Sequence, residues 1–176
     1  KVANSTDFLL GLNDEIMEIS KLESGNIRLT NDTVSIRSCV DSIIPIVEKF
    51  THDKNIDFSY EIKNIKDDNV ICDYIRLNQI LKKILFNAIR FTNHNGKIHF
   101  YVEQIKENDE NTYKFSISDN GIGISCDFLP KIYNDFSKEE SRNILEVSDP
   151  YLGCGCGLGM SIAKNLVDLM NGRIEI

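Results

Sequence analysis

Apolar residues recur along this chain with two periods, and the switches between them mark out its elements. Leu9, Leu12, Ile16 and Ile19 return every three or four residues, the heptad-like seam of an amphipathic helix that begins near Thr6 or Asp7. Asp14, Glu15, Glu18 and Lys21 lie off that seam, and Gly25 is placed to close the helix in a left-handed cap. Ile27 to Val34 reads as a short linker leading into a strand. Val34, Ile36, Val40, Ile43, Ile44, Val47 and Phe50 then give a helical apolar face, and Ile56, Phe58, Tyr60 and Ile62 alternate as a half-buried strand does. Asp67-Asp-Asn69 marks a turn. A second long helix over roughly Tyr74 to Thr92 carries Ile80, Leu81, Ile84, Leu85 and Ala88 inward.

Beyond Asn95-Gly96 a long alternating strand, Ile98 to Ile105, pairs with Tyr113 to Ser118 across a polar turn from Glu107 to Thr112. Phe128 to Tyr133 is expected to be a short helix. From about Asp135 to Leu152 the chain carries charge, serine and Pro150 with little periodicity, the marks of a mobile lid. Met160 to Met170 is again helical, and Gly172 to Ile176 reads as one strand. The sum is an α/β (α+β) fold: a two-layer sandwich of a mixed sheet with helices on one face, preceded by an amphipathic helix. Residues 1–25 form the leading piece and 26–176 the main domain.

Length and charge narrow the function. A chain of 176 residues holds one ordinary domain plus an appendage, with core enough to fold without staples. A formal charge of −7 argues against a general nucleic-acid binder but not against a pocket with local positive potential. No run approaches the roughly 20 apolar residues of a membrane span, and no secretory signal is evident. Five cysteines without paired metal-site spacing suggest a reducing, cytoplasmic setting rather than a disulfide framework. The abrupt start and stop suggest an excised piece of a longer parent, which could itself be membrane-anchored.

Three short stretches carry the chemistry. Asp119 ends the alternating run Tyr113-Lys-Phe-Ser-Ile-Ser118, and the glycines after it, Gly121 and Gly123, let backbone approach a ring. A carboxylate at such a strand tip suits a hydrogen bond from an exocyclic amine. Gly155, Gly157 and Gly159 directly precede a helix, whose free N–H groups and positive dipole end favour phosphate. Asn87 lies on the helix ending Leu85-Phe-Asn-Ala-Ile-Arg-Phe-Thr92. Neither a phosphate loop ending in Gly-Lys-Ser/Thr nor a Rossmann fingerprint fits, because no strand immediately precedes Gly155.

The ordered set resembles the ATP-binding catalytic domain of sensor histidine kinases, in the GHKL superfamily, from about Leu9 to the last residue. Leu77 to Thr92 is similar to the asparagine box, Asp119 to Ile124 to the first glycine box, Ile132 to Ser137 to the phenylalanine box and Gly155 to Ala163 to the second glycine box. The resemblance implies a Bergerat-type fold and a set of roles. Asn87 would ligate Mg²⁺ on the phosphates, Arg90 (usually lysine) would reach a phosphate, and Phe91 would pack near adenine. Asp119 would bind the adenine amine with Gly121 and Gly123 shaping that wall. Gly155, Gly157, Leu158 and Gly159 would wrap the phosphates of ATP or ADP, and the lid from Phe136 to Cys154 would order on nucleotide. Residues 1–25 would be the second helix of the dimerisation and phosphoacceptor hairpin, in a parent expected to be a homodimer.

That family transfers the γ-phosphoryl to a histidine on the first hairpin helix and thence to a response regulator. His52, His94 and His99 all lie elsewhere, so this piece is expected to carry no catalytic side chain of its own and to rely on a phosphoacceptor helix from the same or a partner subunit. Two departures stand out. Lys83 takes the place, one turn before Asn87, where hydrolytic relatives have a glutamate base and histidine kinases commonly a second asparagine. It would swing to a phosphate, weaken metal binding or snorkel to solvent. The chain also shows no strand after Ile176, leaving an exposed edge. A degenerate nucleotide-binding regulatory module, an anti-sigma type serine kinase and a chaperone or repair ATPase are the rival readings. Cys156 stands where the family often has threonine, and Glu139-Glu140 reads as a solvated charge pair.

Overall fold

In the computed structural model the described residues are 2–107, 110–139 and 155–176. The elements run α1 (Val2–Glu23), β1 (Asp32–Ser35), α2 (Ile36–Asp53), β2 (Asp57–Lys63), β3 (Asn69–Cys72), α3 (Tyr74–Phe91), β4 (Lys97–Glu107), β5 (Glu110–Asp119) and α4 (Gly159–Leu169). A mixed three-stranded sheet has the order β2-β4-β5, with β2 parallel and β5 antiparallel to β4, and β1 pairs antiparallel with β3 in a separate ribbon. The expected mixed sheet is β2-β4-β5, and the β1–β3 ribbon is an addition to it. On central β4, Ile98, Phe100 and Val102 point inward and are almost fully buried, whereas His99 is exposed on the opposite face. They meet Val40, Ile43 and Val47 of α2 and Leu81, Leu85 and Ile89 of α3 in one core. Burial, with neighbouring Cys72 adding to it against Lys82, pushes the Cys39 thiol up to about 12 and leaves it inert.

The helices α2 and α3 begin on sequence-encoded caps. Ser35 Oγ accepts from Ser38 N–H at 3.0 Å, and Asp68 holds the same turn by accepting from Arg37 N–H at 3.0 Å. Asp73 caps α3 through Arg76 N–H and also accepts Thr30 N–H, each at 3.0 Å, while itself buried. Burial opposes ionisation of Asp73, but the Thr30 and Arg76 donors outweigh it and hold its carboxyl below the usual carboxylate range. A depressed carboxylate contributes stability that is present above its unfolded pKa, near 4, and lost as pH falls through the lower folded value. Asp73→Asn keeps a capping oxygen but not the charge. Denaturant titrations between about pH 5 and 2.5 should show a shallower acid loss in that variant than in the unaltered chain.

Four expectations change. α1 starts at Val2, earlier than Thr6, and ends as foreseen, with Gly25 at φ 65° and Asn26 N–H donating to Lys21 O at 3.2 Å. Its seam divides: Leu12, Ile19 and Leu22 pack against Ile80 and Ile84 of α3 and Leu158, Ile162 and Leu166, whereas Leu9 and Ile16 are exposed. The Phe128–Tyr133 helix is only a 3₁₀ turn at Leu129–Lys131, with Lys131 N–H on Phe128 O at 2.8 Å and Ile132 N–H on Leu129 O at 3.3 Å. Gly172 to Ile176 forms no strand, because its alternating residues find no ladder partner. Residues 140–152 of the expected lid, with Glu140 and Cys154, lie outside the described residues.

Candidate nucleotide site

The C-terminal turn of α3 gathers the site. Helix spacing sets Lys83, Asn87 and Arg90 along one side of it. The Asn87 side-chain amide lies across from α4: a Cβ on Gly159 would sit 3.8 Å from its nitrogen and 4.0 Å from its oxygen. A Cβ on Gly155 would stand 2.7 Å from an Arg90 guanidinium nitrogen, so the loop rests directly on that side chain. Burial lowers the Arg90 pKa, and the Glu15 carboxylate works the other way. Leu158, the N-cap of α4, offers no side-chain cap bond, and the helix follows Gly155 at φ 60° and Gly157 at φ 87°. Gly157 is required twice over, by that φ and because a Cβ would meet Ser137 O at 2.7 Å.

At the other end, Phe91 O accepts from Ile122 N–H at 3.1 Å, which ties the Asp119-Asn-Gly-Ile-Gly123 turn to α3. Asp119 Oδ1 accepts from Gly121 N–H at 2.9 Å, fixing a solvent-facing carboxylate whose second oxygen is left for another donor. Gly123 stands at φ 67°, and among the described residues nothing lies within 4 Å of a Cβ placed there. Gly121 has no such room: a Cβ there would lie 2.3 Å from Phe91 O and 2.8 Å from Asp119 Oδ1. Gly121→Ala must therefore break the Ile122–Phe91 bond or move Asp119. It should cost about 1–3 kcal/mol of overpacking, read by urea unfolding, and abolish measurable ADP binding.

The structure thus brings Asn87, Arg90, Phe91, Asp119, Gly121, Gly155, Gly157 and Gly159 around one helix end. Leu158 differs from the rest. Its side chain is fully buried with Ile19, Ile80 and Ile162, so only its backbone faces the loop. The groups fit a nucleotide with a hard cation: a helix start whose N-cap side chain is apolar, a half-buried guanidinium, an amide oxygen and a carboxylate, each at a stated place. Among the described residues no cluster of three or more His, Cys, Asp or Glu exists to hold a metal by itself. Asn87 would accordingly act with phosphate oxygens and water.

Lys83 neither reaches that site nor snorkels. Its side chain is 15% exposed, and its ammonium lies 3.2 Å from Glu15 and 3.9 Å from Glu18, on α1. Glu18 is also met by Arg76 at 3.7 Å and by the Gln79 amide. The Cys156 sulfur, disulfide-bonded, lies 2.8 Å from the other Glu15 oxygen and is buried in the α1–α4 interface. Sequence reading missed this helix–helix charge cluster because its two halves stand some 60 residues apart. It also missed Lys54, whose partners are backbone carbonyls and so leave no signature in residue types.

Residues 72–176 match the family described as histidine kinase-, DNA gyrase B-, and HSP90-like ATPase. The chain belongs to this ATPase family. Its relatives are consistent: hybrid signal transduction histidine kinase B of Dictyostelium discoideum is 34% identical over 98% of the chain and 8% of that protein. Signal transduction histidine-protein kinase BarA of Escherichia coli is 32% identical over 99% of the chain and 18% of that protein. The chain therefore spans under a fifth of either relative. Full-length ShkA in complex with AMPPNP superposes with a TM-score of 0.78 at 24% identity, covering 96% of this chain and 32% of that one. Histidine kinase ThkA in complex with response regulator protein TrrA gives 0.68 at 25%, covering 95% and 43%. The fold is that of histidine-kinase catalytic domains. Among the described residues no helix is long and apolar enough to cross a membrane.

Proposed function

We propose that this chain is the ATP-binding catalytic part of a two-component sensor histidine kinase, presenting Mg-ATP to a histidine on a separate helix. What carries the reading is the convergence on one end of α3: a fixed carboxylate on one side, and Asn87, Arg90 and a glycine-led helix on the other. Asp119 accepts the adenine amine, Phe91 flanks the ring, and Arg90 with the backbone of 155–159 holds the phosphates. Mg²⁺, ligated through Asn87, supplies charge neutralisation at the transferring phosphoryl group. The residues position the γ-phosphate, and the nucleophile comes from the phosphoacceptor helix of the same or a partner subunit of a homodimeric parent, which passes the group to a response regulator.

Lys83 is the feature that would have favoured a degenerate module, and its pairing with Glu15 and Glu18 takes it out of the metal site. The same position offers no carboxylate base for steady hydrolysis. Calorimetric titration of the chain with ADP and AMPPNP, each with and without Mg²⁺, tests the reading. Single-site binding that Mg²⁺ strengthens, with Asn87→Ala losing that strengthening, is expected. A folded chain that takes up neither nucleotide would refute it.

A further inference from the structure

α3 ends with four carbonyls that no later turn of helix can use, since Thr92 N–H donating to Ala88 O at 3.0 Å closes the last intrahelical bond. They are those of Ile89, Arg90, Phe91 and Thr92. Lys54, at the end of α2 and outside every motif of the site, donates its ammonium to three of them: Ile89 O at 2.8 Å, Arg90 O at 3.2 Å and Thr92 O at 2.7 Å. An ammonium has three protons and here all three are used. The fourth carbonyl, Phe91 O, faces the other way and takes Ile122 N–H at 3.1 Å. A single helix end is thus gripped from one side by Lys54 and offers its remaining carbonyl to the adenine-side glycine turn.

We propose that Lys54 is a positioning residue for the nucleotide site: by gripping the end of α3 it fixes where Arg90 and Phe91 project and where the Asp119–Gly123 turn is anchored. The proposal rests on the nucleotide reading above. Three further observations support it. The turn carrying Lys54 is itself held, with Lys54 N–H on His52 O, Asn55 N–H on the same carbonyl at 2.9 Å and Ile56 N–H on Thr51 O at 2.8 Å, so the ammonium is aimed from a rigid base. Asn55, at φ 54°, bonds the Asn95 side chain, and Asp57 N–H donates to Gly96 O at 2.9 Å, joining the same turn to the loop after α3. A cation at a helix C-terminus also opposes the negative end of the dipole. Burial, and then the Arg90 charge, lower the Lys54 pKa. Lys54 touches no expected ligand atom and acts only through α3.

The test uses the full chain, with Lys54→Met, Lys54→Arg and a core control, Val102→Ala, at a temperature where all are folded. Lys54→Met should bind ADP roughly tenfold more weakly, as a small misplacement of several contacts does. Its Ile122 amide should exchange with solvent about tenfold faster as the anchoring turn loosens. Lys54→Arg should recover part of both effects, and Val102→Ala should keep ADP affinity despite a lowered melting temperature. Unchanged ADP affinity and unchanged Ile122 exchange in Lys54→Met would overturn the proposal, as would an equal loss of affinity in Val102→Ala. Should the unaltered chain bind no ADP, the nucleotide reading fails. Faster Ile122 exchange in Lys54→Met would then still uphold the grip on the glycine turn, and unchanged exchange would overturn it.

Discussion

Asp119→Asn is expected to weaken ADP binding by about 10- to 100-fold, the loss of one charge-assisted hydrogen bond worth about 1.5–3 kcal/mol. The reasoning lies in which oxygen is replaced. Oδ1 is committed to Gly121 N–H at 2.9 Å, and an asparagine oxygen can keep that bond. The amide nitrogen then falls where the free carboxylate oxygen was, and it presents a donor to the exocyclic amine, another donor. The turn should survive, because Ile122 N–H still reaches Phe91 O. Urea midpoints should therefore stay near that of the unaltered chain while calorimetry records the loss. A variant that bound ADP normally would place the adenine elsewhere.

Lys83→Met should loosen α1 from the rest of the molecule, at a cost of about 2–3 kcal/mol. That is below the 3–5 kcal/mol of breaking a fully buried pair, because these side chains remain 15–16% exposed. Glu18 keeps Arg76 and Gln79, so the larger change falls on Glu15, which loses the ammonium 3.2 Å away and keeps the Arg90 charge. Movement of the helix toward solvent relieves the weakened carboxylate and uncovers Ile19 and Ile80. Hydrogen exchange along α1 should accelerate more than in α2, and a second change, Glu15→Gln, should restore much of the protection. If Lys83→Met left α1 protection intact, the cluster would be no more than a surface ion pair.

The elements that bury a single face were legible in the sequence. α2, α3, α4 and β4 each bury residues at a fixed period, and β5 sets Tyr113, Phe115 and Ile117 half-buried against the same core. β3 was not legible: Asn69-Val-Ile-Cys72 is too short to show alternation against background, and Ile71 points outward. Arg173 to Ile176 shows the opposite failure, since alternation suggests a strand but hydrogen-bond partners make one. The residues gathered at the candidate site stood out because glycines at positive φ, such as Gly155 and Gly157, and an amide on a helix must be particular residue types. The site's supports did not. Lys54 works through carbonyls that every residue has, and an amphipathic stripe on α1 does not say which half will be covered by its own domain.

The charges shared by α1 and α3 bear on how freely pieces of such proteins can be exchanged. A chimera grafting a foreign signalling helix onto this catalytic domain would keep Lys83 and Arg76 but lose the carboxylates they meet at Glu15 and Glu18. Two cations would then face whatever side chains the donor helix happened to bring. The junction that preserves the interface lies before Leu12, so that the last dozen or so residues of α1 travel with the catalytic domain as part of its structure.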